Sequence, residues 1–335
     1  EKARKEFEAE NGAIEKASNR RAWRLKQKEA KRGAGGQKIP GYGPTDMSDE
    51  EHKDGRNVRR VVSWLDKKSH GARPFFIACG IQKPHVPFWA PKKYFDMYPR
   101  EKLVTPPALV GDWEDIPALA MVKRFKAFGF ELDKENYALR RAYTQAYHAC
   151  VSFIDAQLGL LLSALKRNGR WEDTIIIFIS DHGYHLGEHY MWGKVSLFEE
   201  CARVPMILRV PGRTRGGTSA SGLTELVDLY PTLCELCGIK APAHLQGESF
   251  TRLIDNPSGK GKETAYTVVS RGKTLGRSIR TVRWRYAEWG SSSAAELYDL
   301  EKDPAEHHNL AGDEKFSEPL EKMRQLLEKA RRRGS

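Results

Sequence analysis

Residues 174–194 read TIIIFISDHGYHLGEHYMWGK. An almost wholly apolar run, 174–179, abuts fifteen residues that hold one Asp, three His, one Glu and one Lys. A short, continuous apolar run of this kind predicts a strand buried on both faces of a helix-covered sheet. In open α/β sheets, ligands sit just beyond the carboxyl ends of such strands. The polar run from Ser180 to Lys194 therefore falls where chemistry is expected.

Working outward, residues 136–166 place Tyr143, Tyr147, Val151, Ile154, Leu158, Leu161 and Leu162 on one face of a long helix. VPMILRVPG (204–212) reads as another strand, and 223–237 as a helix with a proline in its first half. Upstream, Val58, Val61, Val62 and Leu65 mark a helix over 57–67, and PFFIACGI (74–81) reads as a further buried strand. The proline-rich stretch 82–99 and the glycine-rich stretch 33–46 read as loops. Alternating strands and helices predict an α/β fold with a mixed, mostly parallel sheet flanked by helices. After about residue 261 the texture changes to short alternating strands (264–270, 278–289, 295–304) and a closing helix over 314–331. The chain thus divides into a basic helical or disordered arm (1–38), a main α/β domain (39–261) and a small C-terminal α+β subdomain (262–335).

The 335 residues carry a net charge of +12, and residues 1–38 supply half of it with twelve Lys/Arg against six Glu. Basic ends suit an anionic partner. No zinc finger, RNP-type aromatic motif or recognition-helix pattern supports nucleic acid. The five cysteines are too scattered for a disulfide scaffold, and Cys234 and Cys237 read as helix thiols. No apolar run approaches the length of a membrane span. The chain begins without Met inside a charged helical pattern, as a fragment would, and no signal peptide is seen. Oligomeric state is not legible.

Two loops concentrate the chemistry. KPHVPF (83–88) presents His85, and SDHG (180–183) presents Asp181 and His182; each follows a strand end and can face the same crevice. Asp181 offers hard oxygen ligands to a divalent cation, and His182 offers an adjacent imidazole. Two residues cannot hold a metal alone, so other ligands must come from elsewhere. His185 to His189 also fits H-x-x-E-H, the inverted zinc-protease motif. That motif needs a helix, and Gly183 and Gly187 interrupt this stretch immediately after a strand, so the protease reading fails.

The SDHG…LGEH…W-x-K run followed by VPMILRVPG resembles the type I sulfatases of the alkaline-phosphatase superfamily, nearest to iduronate-2-sulfatase and its bacterial relatives. PFFIACGIQKPHVPF (74–88), YTQAYHACVSFIDAQLGLLLSAL (143–165) and ELYDLEKDPAEHHNL (296–310) resemble that group's motifs in the same order, across roughly residues 54–312. The resemblance implies that Asp181 and His182 are metal ligands. Calcium is the usual ion; imidazole is an unusual calcium ligand, which keeps magnesium and manganese as alternatives. It implies that His85 hydrogen-bonds the sulfate or the leaving oxygen, and that Lys194 contacts the sulfate ester. Glu188 and His189, in the L-G-E-H turn, are expected to be supporting residues, and His307 and His308 turn residues. His185 falls where the family varies, so substrate or solvent is its expected surrounding. The implied partner is a sulfated sugar or polysaccharide, and the implied address is secreted, periplasmic or lysosomal.

Family members use a formylglycine made from Cys or Ser within C/S-x-P/A-S/T-R, and no Cys or Ser of this chain opens such a run. The family's Asp-Asp pair and the first lysine and histidine of its sulfate pocket also lack counterparts. The expectation is an N-terminally truncated sulfatase, inactive alone. A phosphonate monoester or phosphodiester hydrolase of the same superfamily, and a non-catalytic glycan-binding relative, are the alternatives.

Overall fold

The computed structural model describes residues 41–106, 109–121 and 136–333, together with the isolated positions 5, 8 and 9. The expected basic arm lies outside the described residues.

Strand β1 (Tyr42–Thr45) leads to helix α1 (Lys53–Asp66), and strand β2 (Phe88–Pro91) lies parallel to β1. Both short strands arise where loops were expected: the Pro-rich stretch ends at Phe88 in extended backbone, and the short helix α2 (Lys92–Phe95) begins directly after Pro91. Helix α3 (Tyr137–Arg167) matches the periodic pattern almost to the residue. Its N-cap is Asn136, whose side-chain oxygen accepts the Leu139 amide at 3.0 Å, satisfying one of the helix's open donors. Phe88, Tyr94, Tyr143, Phe153 and Trp192 close the first core around α3, each buried ring contributing about 1.5–3 kcal/mol.

Among the described residues, α3 is long and apolar enough by composition to cross a membrane, against the expectation of no such run. Its polar positions are mostly uncharged (Thr144, Gln145, His148, Ser152), so its average is high although its apolar runs are broken every few residues. In this fold it is a core helix: Ala142, Ala146, Ala149 and Phe153 are buried.

Strand β3 (Ile176–Ile179) forms from the run that opened the sequence, but it pairs antiparallel with β6 (Met206–Arg209), Phe178 facing Ile207. Between them lie a two-residue ribbon, β4 (His185–Leu186) with β5 (Trp192–Gly193), and the single-turn helix α4 (Glu199–Ala202). Only β1–β2 is parallel among the described strand pairs. Residues 74–81, expected as a buried strand, are extended but unpaired, and Phe76 is 85% exposed. Ile207 in β6 is 63% exposed. An apolar sequence makes a residue suited to burial, whereas a sheet needs a neighbouring backbone, and none of the described residues supplies one on these edges.

Downstream come α5 (Leu229–Leu236), with Pro231 in its first turn where no helical donor is lost, and α6 (Thr251–Asp255). Strands β7 (Ala265–Arg271), β8 (Thr274–Arg280), β9 (Trp284–Trp289) and β10 (Ser291–Asp299) form an antiparallel sheet in the order β10-β9-β8-β7. Helix α7 (Ser317–Arg333) covers it through Met323 and Leu327 against Ile279, Tyr286 and Leu297. The expected C-terminal texture is thereby realised. A second core, including Met191, Leu197, Phe198, Trp289 and Tyr298, joins this sheet to the polar stretch after β3.

Candidate active site

Asp181 and His182 leave the carboxyl end of β3. Gly183 explains the tightness of the turn: its amide donates to the Cys201 carbonyl at 2.9 Å, and a Cβ there would lie 1.9 Å from the Glu200 carbonyl oxygen. The His182 ring is fixed at both ends. Its Nδ1 is 2.8 Å from the Gly183 carbonyl, which can only accept, so Nδ1 carries the proton. Its Nε2 is then the acceptor, and the Lys194 ammonium donates to it at 2.7 Å. The Asp181 carboxylate lies 3.6 Å from the same nitrogen, with its side chain 87% exposed. Backbone hydrogen bonding of one ring nitrogen, leaving the other lone pair outward, is the arrangement of a metal-binding imidazole. Lys194 is followed by Val195 at φ 72°, a left-handed conformation that a β-branched residue adopts only under strain. Strained backbone of this kind clusters at functional sites.

Asp181, His182 and Lys194 line a cleft of roughly 1510 Å³ between β6 and β7, with Arg203, Arg215 and Arg280 also on its walls. Asp181, Glu199 and Glu225 share these walls, and Arg280 pairs with Glu199, so the lining is mixed in sign with a cationic excess.

His85 is exposed and does not line this cleft. Its loop is wired from below. Asp54, in the first turn of α1, accepts the amides of Gln82 at 2.9 Å and Lys83 at 2.8 Å. Lys83 sends its ammonium back to the carbonyls of His85 and Pro87. Burial pulls the Lys83 ammonium below its ordinary pKa. The His85 Nδ1 is 2.6 Å from the Val86 carbonyl, so its Nε2 is the end left for a ligand. Asp54 and Lys83 are positioning residues that the sequence reading missed, because a helix-start aspartate and a loop lysine are ordinary at surfaces.

The other histidines belong elsewhere. His185, expected at substrate or solvent, is fully buried, with Nε2 2.7 Å from the Ser196 hydroxyl, and burial drives its pKa well down. Glu188 caps the turn by accepting the Leu186 amide at 2.5 Å; burial raises its pKa. His189 is buried, stacks on Phe198 and has Nδ1 3.0 Å from Asp112 Oδ2. His307, expected as a turn residue, instead reaches back to Asp112 Oδ1 at 2.9 Å. Burial pushes the Asp112 carboxyl up, but hydrogen bonds from His189 and His307 hold it below its ordinary value. Burial likewise opposes the charge on His189, which Asp112 more than offsets. This Asp–His–His cluster joins residues separated by up to 195 positions, and nothing in sequence spacing announces it.

Comparisons with known proteins identify the family. The sulfatase family model matches residues 9–239, and the C-terminal model of N-sulphoglucosamine sulphohydrolase matches residues 187–333. The chain belongs to the sulfatase family. It is 32% identical to a sulfatase of Formosa agariphila over 305 residues, covering 90% of this chain and 58% of the relative. It is 30% identical to human iduronate 2-sulfatase over 342 residues, covering 78% and 62%. A solved structure in complex with its substrate, D-glucosamine-2-N,6-O-disulfate, superposes with a TM-score of 0.70 at 21% identity, over 84% of this chain and 70% of that one. The chain spans about three fifths of the length of the curated relatives it matches. Its fold is the α/β architecture of the alkaline-phosphatase superfamily.

Proposed function

We propose that this chain carries the metal-binding, sulfate-binding and leaving-group part of a formylglycine sulfatase that hydrolyses a sulfate ester on a sugar. The observation that carries the reading is the Asp181–His182–Lys194 arrangement. A lone pair on His182 Nε2, a free carboxylate and an ammonium group meet in one cleft of cationic excess beyond a strand end. The family membership and the sulfated-sugar names of two of the relatives support the substrate class.

Asp181 and His182 fit a divalent cation, in part. They offer one hard oxygen donor set and one correctly tautomeric nitrogen, and calcium's six to eight ligands require others from outside these residues. When bound, the ion supplies positive charge to the sulfate oxygens. Were the His182 lone pair engaged by such an ion, the Lys194 ammonium that now donates to it would be available to an ester or sulfate oxygen. As charge develops on the leaving oxygen, an ammonium aimed there stabilises it without reorganisation. The family resemblance gives His85 the protonation of that oxygen through Nε2, with Nδ1–H kept on Val86, although among the described residues it does not line the cleft that holds Lys194. The nucleophile, a formylglycine hydrate in this reading, lies in a part of the enzyme not represented by residues 1–335, so the chain alone is expected not to turn over.

The test is sulfate release from glucosamine and uronate sulfates by the product of the complete reading frame, with calcium. Lys194→Ala is expected to lower kcat by roughly 10²–10³ with a small change in KM. Phosphodiester hydrolysis without sulfate release would make the enzyme a phosphodiesterase of the same superfamily. Sugar binding with neither activity would make it a glycan-binding relative.

A further inference from the structure

We propose that Asp112, His189 and His307 form a second metal site, separate from the catalytic cleft, that takes a zinc-class divalent ion and fastens the C-terminal sheet to the site-bearing segment. None of the three lines the cleft that holds Asp181, His182 and Lys194.

The donor set is the first argument. One carboxylate oxygen and two imidazole nitrogens lie within 4.8 Å of one another. Zinc bonds of about 2.0–2.2 Å place neighbouring donors about 3.3–3.6 Å apart in a tetrahedral shell. The two nitrogens lie 3.0 Å from Asp112 Oδ2 and 2.9 Å from Asp112 Oδ1, one on each oxygen of the carboxylate, so an ion would enter by spreading both hydrogen-bonded contacts by a few tenths of an ångström. Two nitrogens and one oxygen suit zinc and its neighbours, and not calcium or magnesium, which take oxygen shells. Three protein ligands leave a fourth position, and His307, the most exposed of the three with 18% of its side chain accessible, gives water a way in.

Burial is the second argument. The Asp112 side chain is 2% exposed, and its carboxylate touches two imidazoles and no lysine or arginine among the described residues. A buried carboxylate needs a compensating charge. His189 is held inward by its own backbone, at φ 52°, next to Tyr190 at φ 56°, both in the left-handed region.

The far side of His189 supplies the third argument. Its Nε2 is buried without a hydrogen-bond partner, and so is Glu200 Oε2. The Glu200 carboxylate interacts electrostatically with His189. Ligation of a metal through Nδ1 would leave the ring proton on Nε2, the buried nitrogen that has no partner among the described residues. Metal-bound histidines ordinarily donate their other N–H to a carboxylate, a carbonyl or water, and Glu200 is the nearby carboxylate whose charge acts on this ring.

The test uses the 335-residue chain, stripped with a chelator and titrated with Co²⁺, whose visible absorption reports four-coordinate nitrogen and oxygen ligation. One equivalent of Co²⁺ is expected to give that band, to be displaced by one equivalent of Zn²⁺, and to raise Tm. Asp181→Asn should keep the band, and His307→Gln should lose it while retaining its far-ultraviolet circular dichroism. Should His307→Gln fail to fold, His307→Cys decides: it should keep the ion and add a thiolate-to-cobalt charge-transfer band. No band in the stripped chain would mean a metal-free hydrogen-bonded clamp and would overturn the proposal. So would a band lost in Asp181→Asn, or one that His307→Cys leaves unchanged.

Discussion

His182 shows how little freedom a functional side chain is given. One nitrogen is held by the carbonyl of the next residue, the other faces Lys194, and the turn that carries both is pressed against Glu200 and Cys201. Gly183→Ala would force that backbone approach apart. The cost is expected to reach the upper end of the 1–3 kcal/mol typical of overpacking, or more, because a carbonyl rather than a flexible side chain is in the way. Thermal unfolding checks it, and an unchanged Tm would show that the turn can move. The cysteines separate in the same physical terms. Burial pushes the Cys150 thiol up to about 12, and Cys201 and Cys234 are also buried, whereas Cys237 is exposed. A native chain at pH 8 should therefore show fast labelling by a thiol reagent at Cys237, with Cys150, Cys201 and Cys234 reacting only on unfolding; peptide mapping reads this directly. Asp181, His182 and Lys194 were legible because they share fifteen residues after a strand. His185 and His307 were not, because histidine is amphipathic and a sequence does not say which face of a turn meets the core.

At the scale of elements, α3 was legible because an Asn cap and a sustained apolar stripe agree with each other. The unpaired edge of PFFIACGI and the antiparallel pairing of TIIIFI were not, because composition states that a segment suits burial without naming its neighbour. The turn after β10 is a case where a short motif has a definite electrostatic function. Arg283 donates to both oxygens of Asp299, at 2.9 and 2.6 Å, and these hydrogen bonds hold the carboxyl below its ordinary value. In the window between the folded value and the unfolded one near 3.8, the unfolded chain binds more protons, so stability rises with pH. The pair's contribution is complete above the unfolded value and is lost as pH falls through the folded one. Asp299→Asn is expected to cost about 1–3 kcal/mol at neutral pH and to flatten the acid limb below pH 4. Urea unfolding at a series of pH values checks both; an unaltered acid limb would assign it to other carboxylates.

Across the whole molecule, the polar stretch after β3 lies between two cores, one built on α3 and one on the C-terminal sheet. The sheet reaches the site through Glu306. One of its carboxylate oxygens accepts from Arg285 Nε, and the other accepts the Glu199 amide at 2.8 Å. Glu199 begins α4, whose last turn carries the Cys201 carbonyl that anchors Gly183. Arg280 adds a contact to Glu199 at 3.1 Å, and Arg285 packs its guanidinium over Phe198 and Tyr298. A buried ion pair contributes little net stability over an apolar replacement, yet breaking one partner leaves a desolvated charge. Glu306→Ala should therefore destabilise the chain by about 3–5 kcal/mol, while the double variant Arg285→Met with Glu306→Leu recovers only part of it, because buried Glu296 and the Glu199 amide still lose their partners. Hydrogen exchange separates a local latch from general weakening. The Glu199 amide, which loses its acceptor, should exchange faster in Glu306→Ala under native conditions, while amides in the middle of α3 keep their protection. Equal acceleration in α3 would mean that the pair stabilises the fold as a whole and does not specifically hold the site-bearing segment against the C-terminal sheet.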